Sequence, residues 1–177
     1  MTPMLDFAIT GLPRSRTAWL SAFLTTDSAH CWHEWSAKVN GPADFLDAIV
    51  PGKVSGVSDT GIWLLGDNLK HIARSVVIVH RPTADCEASL KARFGVDFDL
   101  GLMADELAKI DGLHVSFDDL NSLECVAQIW EYCTKSPLQR ERYSVFKDIR
   151  IDTMVDWSSP SGITGTWLAR ETAKWRQ

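Results

Sequence analysis

Apolar positions follow two rhythms along this chain, short dense runs and longer stretches at helical spacing. Residues 5–10 form a short apolar run closed by Gly11, too short for a helix and suited to a buried strand. From 17 to 25 the apolar positions Ala18, Trp19, Ala22 and Phe23 recur at helical spacing, with Gly11 and Pro13 in the connection before them. Strand, loop and helix follow in that order. Gly41-Pro42 opens a short helix carrying Phe45, Leu46 and Ile49, and Pro51-Gly52 ends it. Residues 54–58 predict a second strand. Residues 75–80, SVVIVH, predict a third, β-branched and apolar at its centre as in strands covered on both faces. Pro82 stops that run and Thr83 is placed to cap the next helix. Residues 113–117 predict a fourth strand, and Asn121 with Glu124 resembles a capping box. Leu123, Val126, Ala127, Trp130 and Cys133 then make one helical stripe. A short strand near 148–151 and a C-terminal amphipathic helix with Trp167, Leu168 and Trp175 complete the reading.

Strands alternating with helices imply βαβ units and a mostly parallel sheet of about four to five strands between two helical layers. One α/β domain over residues 1–177 accounts for the chain. In such sheets ligands bind beyond the carboxyl ends of the strands, where the loops after Thr10 and His80 lie.

Composition narrows the partners. A net charge of −5 and no long run of Lys and Arg argue against a nucleic-acid coat, so any anion site must be local. Cys31, Cys86, Cys125 and Cys133 show no CxxC spacing, which predicts buried thiols rather than a metal cage or redox pair. No apolar run reaches membrane-spanning length and the N-terminus has no leader pattern, so a cytoplasmic protein is expected.

In ITGLPRSRTAWL a strand feeds a tight turn and a helix. The first free amides of that helix, its dipole and the Arg14 guanidinium would converge on a phosphate or sulfate. A structural turn ahead of a helix would leave the same short pattern. The ATP-type P-loop is not met, because Arg16, Thr17 and Ala18 stand where Gly, Lys and Ser/Thr are needed.

GLPRSRTAWL resembles the phosphosulfate loop of the sulfotransferases, whose donor is 3′-phosphoadenosine 5′-phosphosulfate. The resemblance implies a P-loop-type three-layer fold. It sets Gly11, Pro13, Arg14, Ser15, Arg16, Thr17, Ala18 and Trp19 around the 5′ side of the donor. Arg14 would contact the bridging and transferring groups, Ser15 and Thr17 the phosphate, and Trp19 would stack on adenine. Arg16 replaces a glycine of that loop and Ala18 a threonine. HRPTADCEASL resembles the segment in which Arg81 and Ser89 would bind the 3′ phosphate, with the family's eight-residue spacing. VSFDDLNS resembles a further segment, with Phe117 in place of tyrosine. The family's basic, glycine-containing C-terminal segment has no clear counterpart; Lys147 or the turn at 158–162 would have to substitute.

Transfer to an alcohol or amine needs a base and a positive charge. Arg14 supplies the charge. Glu34, beside His33, is the first candidate base and Asp59 the second. As surface or structural groups, His33 and Glu34 would form a pair and Asp59 a turn cap. Trp32 and Trp35 flank the pair as acceptor walls or as core. The resemblance thus implies a sulfotransferase acting on a small-molecule or glycan acceptor without a metal, with no nucleic-acid or membrane partner. A nucleotide-binding protein that has lost catalysis and a kinase-like phosphotransferase are the alternatives.

Overall fold

The computed structural model describes residues 3–149 and 151. Five strands, β1 (Leu5–Gly11), β2 (Ala29–His33), β3 (Val54–Ser58), β4 (Ala73–His80) and β5 (Leu113–Ser116), make one sheet. Their order is β2-β3-β1-β4-β5 and every neighbouring pair is parallel. The α-helices are α1 (Thr17–Leu24), α2 (Thr83–Phe94), α3 (Gly101–Leu107), α4 (Leu123–Thr134) and α5 (Arg140–Phe146). Shorter 3-10 segments occupy Trp35–Lys38, Pro42–Ala48, Gly61–His71 and Asp118–Asn121.

Alternation along the central strands builds two cores. Phe7, Ile9, Val77 and Val79 face α1, α4 and α5, while Ala8, Val76 and Ile78 face α2, α3 and two of the 3-10 segments. The result is the expected three-layer α/β arrangement, with the central strands apolar on both sides because both sides are covered. Gly56 of β3 is required by packing, since a Cβ there would lie 2.3 Å from the Phe7 ring. No helix of the described residues is long and apolar enough to cross a membrane.

Several sequence expectations are corrected. The edge strand β2 was not predicted, because AHCWH mixes polar and aromatic residues and has no β-branched run. The 3-10 segment over Gly61–His71, α3 and α5 were likewise unforeseen. No strand forms near 148–151 among the described residues. Tyr143 and Phe146 bury one face of α5, the chain turns at Lys147 and Asp148, and Ile149 N donates to Phe146 O at 3.0 Å. Pro82, not Thr83, takes the cap position of α2. Ser122, not Asn121, caps α4, its hydroxyl accepting from Cys125 N at 3.3 Å. The expected C-terminal helix and the turn at 158–162 lie outside the described residues.

α1 is held at its far end by Arg142 of α5. The guanidinium donates to the carbonyls of Phe23 at 2.6 Å, Ala22 at 3.1 Å and Thr25 at 2.7 Å, satisfying backbone acceptors that a helix end leaves open. Its cation also lies over the rings of Phe23, Trp130 and Phe146.

Connectivity then locates the crevice. β1 and β4 are neighbours, yet α1 after β1 packs on one face and α2 after β4 on the other. The two loops diverge at the carboxyl ends of adjacent strands, the switch point at which open α/β sheets place their ligand crevice.

Candidate functional site

Sheet register brings the candidate residues to one edge. Gly11 pairs with Val79, His33 with Ser58, and His80 with Ser116, so the loops after β1 to β5 all emerge at the same end. Gly11 is demanded by that closeness, because a Cβ at this position would lie 2.6 Å from Val79 O.

The turn from Leu12 to Arg16 is tight. Ser15 N bonds to Leu12 O at 3.2 Å, and Arg14 and Arg16 both adopt left-handed backbone, with φ of 71° and 62°. Arg16 therefore does at a conformational cost what a glycine would do freely. Its side chain swings away from the turn, donating to Asn121 Oδ1 at 2.8 Å and lying 5.1 Å from the Phe117 ring centroid. The start of α1 is fixed by Ser58, whose hydroxyl donates to Thr17 O at 2.8 Å.

Across the crevice Arg81 leaves the end of β4. Its Nη1 donates to Arg14 O at 2.6 Å, while Arg14 Nε donates to Ser89 Oγ of α2 at 3.1 Å. Two segments about seventy residues apart are thereby laced together, and Arg14, Arg81 and Ser89 share one place. Polar groups beside them remain unsatisfied. Arg81 Nε and Thr10 Oγ1 are buried without a partner. Ser15 Oγ faces the Cys86 thiol, a weak partner that falls short of a hydrogen bond. Buried polar atoms of this kind are ordinarily paired, and an oxyanion would satisfy donors so arranged.

A second group lies on the β2–β3 side. Glu34 follows β2 in left-handed conformation, and its carboxylate accepts from Thr60 Oγ1 at 3.1 Å. Burial first, and the nearby Asp59 carboxylate second, raise the Glu34 pKa to about 7. His33 Nε2 lies 3.4 Å from Glu34 Oε1 and 3.5 Å from Thr17 Oγ1, and burial lowers its pKa to about 4. His33 is therefore neutral near pH 7 and Glu34 is divided between its two forms. Only the glutamate has the profile of a base acting near neutrality.

Two sequence assignments change here. Asp59 is fully buried, and its oxygens accept from Ser36 N at 2.5 Å, Ser36 Oγ at 2.7 Å and Gly61 N at 2.7 Å. It holds the turn after β3 and offers an acceptor no approach. Trp19 is 4 % exposed, stacked on Phe23 at 4.9 Å with its Nε1 donating to Phe146 O at 3.0 Å. Its ring belongs to the core and presents no face to a purine. Ala18 is buried as well, while Pro13 is half-exposed on the turn. Trp32 and Trp35 pack against the second core and donate to Ala48 O and Asp44 O.

Sequence reasoning did not find Thr60 as the donor to Glu34, Ser36 as the anchor of Asp59, or Asn121 as the partner of Arg16. Each is set by strand register or a tertiary contact. His80 pairs with His114, Nε2 to Nδ1 at 2.6 Å. A cavity of about 670 Å³ near the far end of α1, lined in part by Thr26, Trp130, Arg142 and Phe146, shares no residue with this site.

No family model, curated protein or solved structure matches this chain, and its site stands on its own geometry.

Proposed function

We propose that the β1–β4 crevice binds a bisphosphorylated adenine nucleotide and that the protein is a sulfotransferase. In this reading a sulfuryl group passes from 3′-phosphoadenosine 5′-phosphosulfate to a hydroxyl or amine acceptor. The observation that carries the proposal is the lacing of Arg14, Arg81 and Ser89 through two hydrogen bonds at the strand ends. The unsatisfied Ser15 Oγ and Arg81 Nε beside them fit phosphate oxygens. The purine would rest elsewhere than on Trp19.

The residues divide the work. Arg81 and Ser89 bind one phosphate; the turn amides, Ser15 and Thr17 bind the other. Binding parts Arg14 from Ser89 and exchanges a neutral acceptor for a charged one, a stronger bond. The donor supplies an activated sulfuryl group. Glu34 in its ionised form takes the proton from the acceptor O–H or N–H as the acceptor's new bond to sulfur forms. The bond from sulfur to the bridging oxygen of the 5′ phosphate breaks, 3′-phosphoadenosine 5′-phosphate leaves, and Arg14 steadies the charge that develops on that oxygen.

Thermal shift with 3′-phosphoadenosine 5′-phosphate, AMP and magnesium-ATP tests the reading. The bisphosphate is expected to raise the Tm most, and Arg81→Ala to remove its advantage over AMP. Stabilisation by magnesium-ATP alone, or equal weak responses to all three, would overturn the proposal.

A further inference from the structure

Two guanidinium groups share one aromatic ring at the mouth of this crevice. Phe117 follows β5, and its N–H donates to His80 O at 2.7 Å, which sets the half-buried ring beside the end of β4. The Arg81 guanidinium lies 4.3 Å from the ring centroid and that of Arg16 5.1 Å. Both distances fall in the cation–π range. Arg16 is further aimed by Asn121, which accepts from it through Oδ1. The other side of that amide is tied down by Nδ2 donating to Asp118 O at 3.1 Å.

The arrangement costs the chain something. A left-handed arginine is strained where glycine would be at ease. Two guanidinium groups gathered on one ring offer paired donors to an anion. A phosphate monoester suits the place, because it carries about −1.5 to −2 charge at pH 7 and three acceptor oxygens, and guanidinium forks match it in pairs.

We infer that Arg16 and Arg81, carried on Phe117, form a two-armed clamp for the second phosphate of the nucleotide, so that Arg16 sets the preference for a bisphosphate over a monophosphate. The inference rests on the nucleotide reading above and assigns to Arg16 a second cationic arm beside Arg81. Asn121 is a positioning residue that acts through Arg16.

Calorimetric titration of 3′-phosphoadenosine 5′-phosphate and of AMP into wild type, Arg16→Gly and Asn121→Ala tests it. Glycine accepts the left-handed backbone, so Arg16→Gly is expected to melt at or above the wild-type temperature. Arg16→Gly should weaken the bisphosphate about tenfold or more and AMP less than about threefold, as loss of one charge-assisted contact requires. Asn121→Ala should weaken the bisphosphate in the same sense by a smaller factor. A wild type that prefers the bisphosphate, with that preference unchanged or enhanced in Arg16→Gly, would sink the clamp and leave the nucleotide reading standing. A wild type without any preference would overturn both.

Discussion

Glu34→Gln is expected to stabilise the protein in alkaline solution and to leave it unchanged in acid. The reasoning starts from a carboxyl raised from 4.5 to about 7 by burial and by the Asp59 carboxylate. At about 1.4 kcal/mol for each tenfold change, that shift sets about 3 kcal/mol against the ionised form in the folded protein. Its side chain is 27 % exposed, so solvent screening brings the expected gain to about 2 kcal/mol. The sign follows from linkage. A folded-state pKa above the unfolded value favours folding only while the group is protonated, and that advantage is lost as pH rises from 4.5 through about 7. Glutamine is neutral throughout and still accepts from Thr60, so it escapes the loss. Urea denaturation followed by tryptophan fluorescence at pH 5.0, 6.5 and 8.5 measures the difference. At pH 8.5 the gain of about 2 kcal/mol corresponds to a rise in Tm of roughly 4–8 °C for a chain of this size; at pH 5.0 it should be close to zero. A gain of equal size at both ends of the range, or a loss at pH 8.5, would refute the reasoning, because neither follows from an ionisation penalty.

His33→Asn should blunt acid sensitivity. A histidine lowered from 6.5 to about 4 favours folding above pH 6.5 and loses that contribution as pH falls toward 4, so the acid-unfolding midpoint of the variant should move to lower pH, as circular dichroism would show. Gly11→Ala, whose Cβ meets Val79 O at 2.6 Å, should cost about 1–3 kcal/mol in urea denaturation. Trp19→Phe removes the bond to Phe146 O and should cost about 1 kcal/mol while leaving the affinity for 3′-phosphoadenosine 5′-phosphate within about twofold. A large loss of affinity there would restore Trp19 to the purine.

What was legible in advance follows from where the physics is local. The runs over 5–10 and 75–80 declared strands because β-branched and apolar residues crowd positions covered on both faces, and 54–58 and 113–117 were short enough to read as strands beside them. β2 did not declare itself, since AHCWH mixes polar and aromatic residues and carries no β-branched run. The turn at Gly11 to Thr17 was marked by Gly11, Pro13 and the helical spacing after them, whereas Arg81 and Ser89 stood out only through the resemblance. Their meeting through Arg14 could not be foreseen, because it depends on β1 and β4 being neighbours. Asp59 was the second candidate base in sequence and Glu34 the first. Burial and donor count separate them, one satisfied inside a turn and the other raised to about 7 at a partly open edge. Trp19 matched an aromatic position in the resembled loop, but its place on the first turns of α1 points it into the core beside Phe23.

The grip of α5 on α1 has a consequence for biosynthesis. β1, the turn and α1 leave the ribosome before α5, and Arg142 is made 120 residues after Ala22, whose carbonyl it binds. At roughly 5–20 residues per second, that interval is about 6–24 s. During it the carbonyls at the end of α1 await their donor, and Trp19 and Phe23 await the ring of Phe146. The turn ahead of α1 is thus made well before the residue that anchors the far end of its helix, which makes the docking of α5 a late step in completing the crevice rather than a nucleus for it.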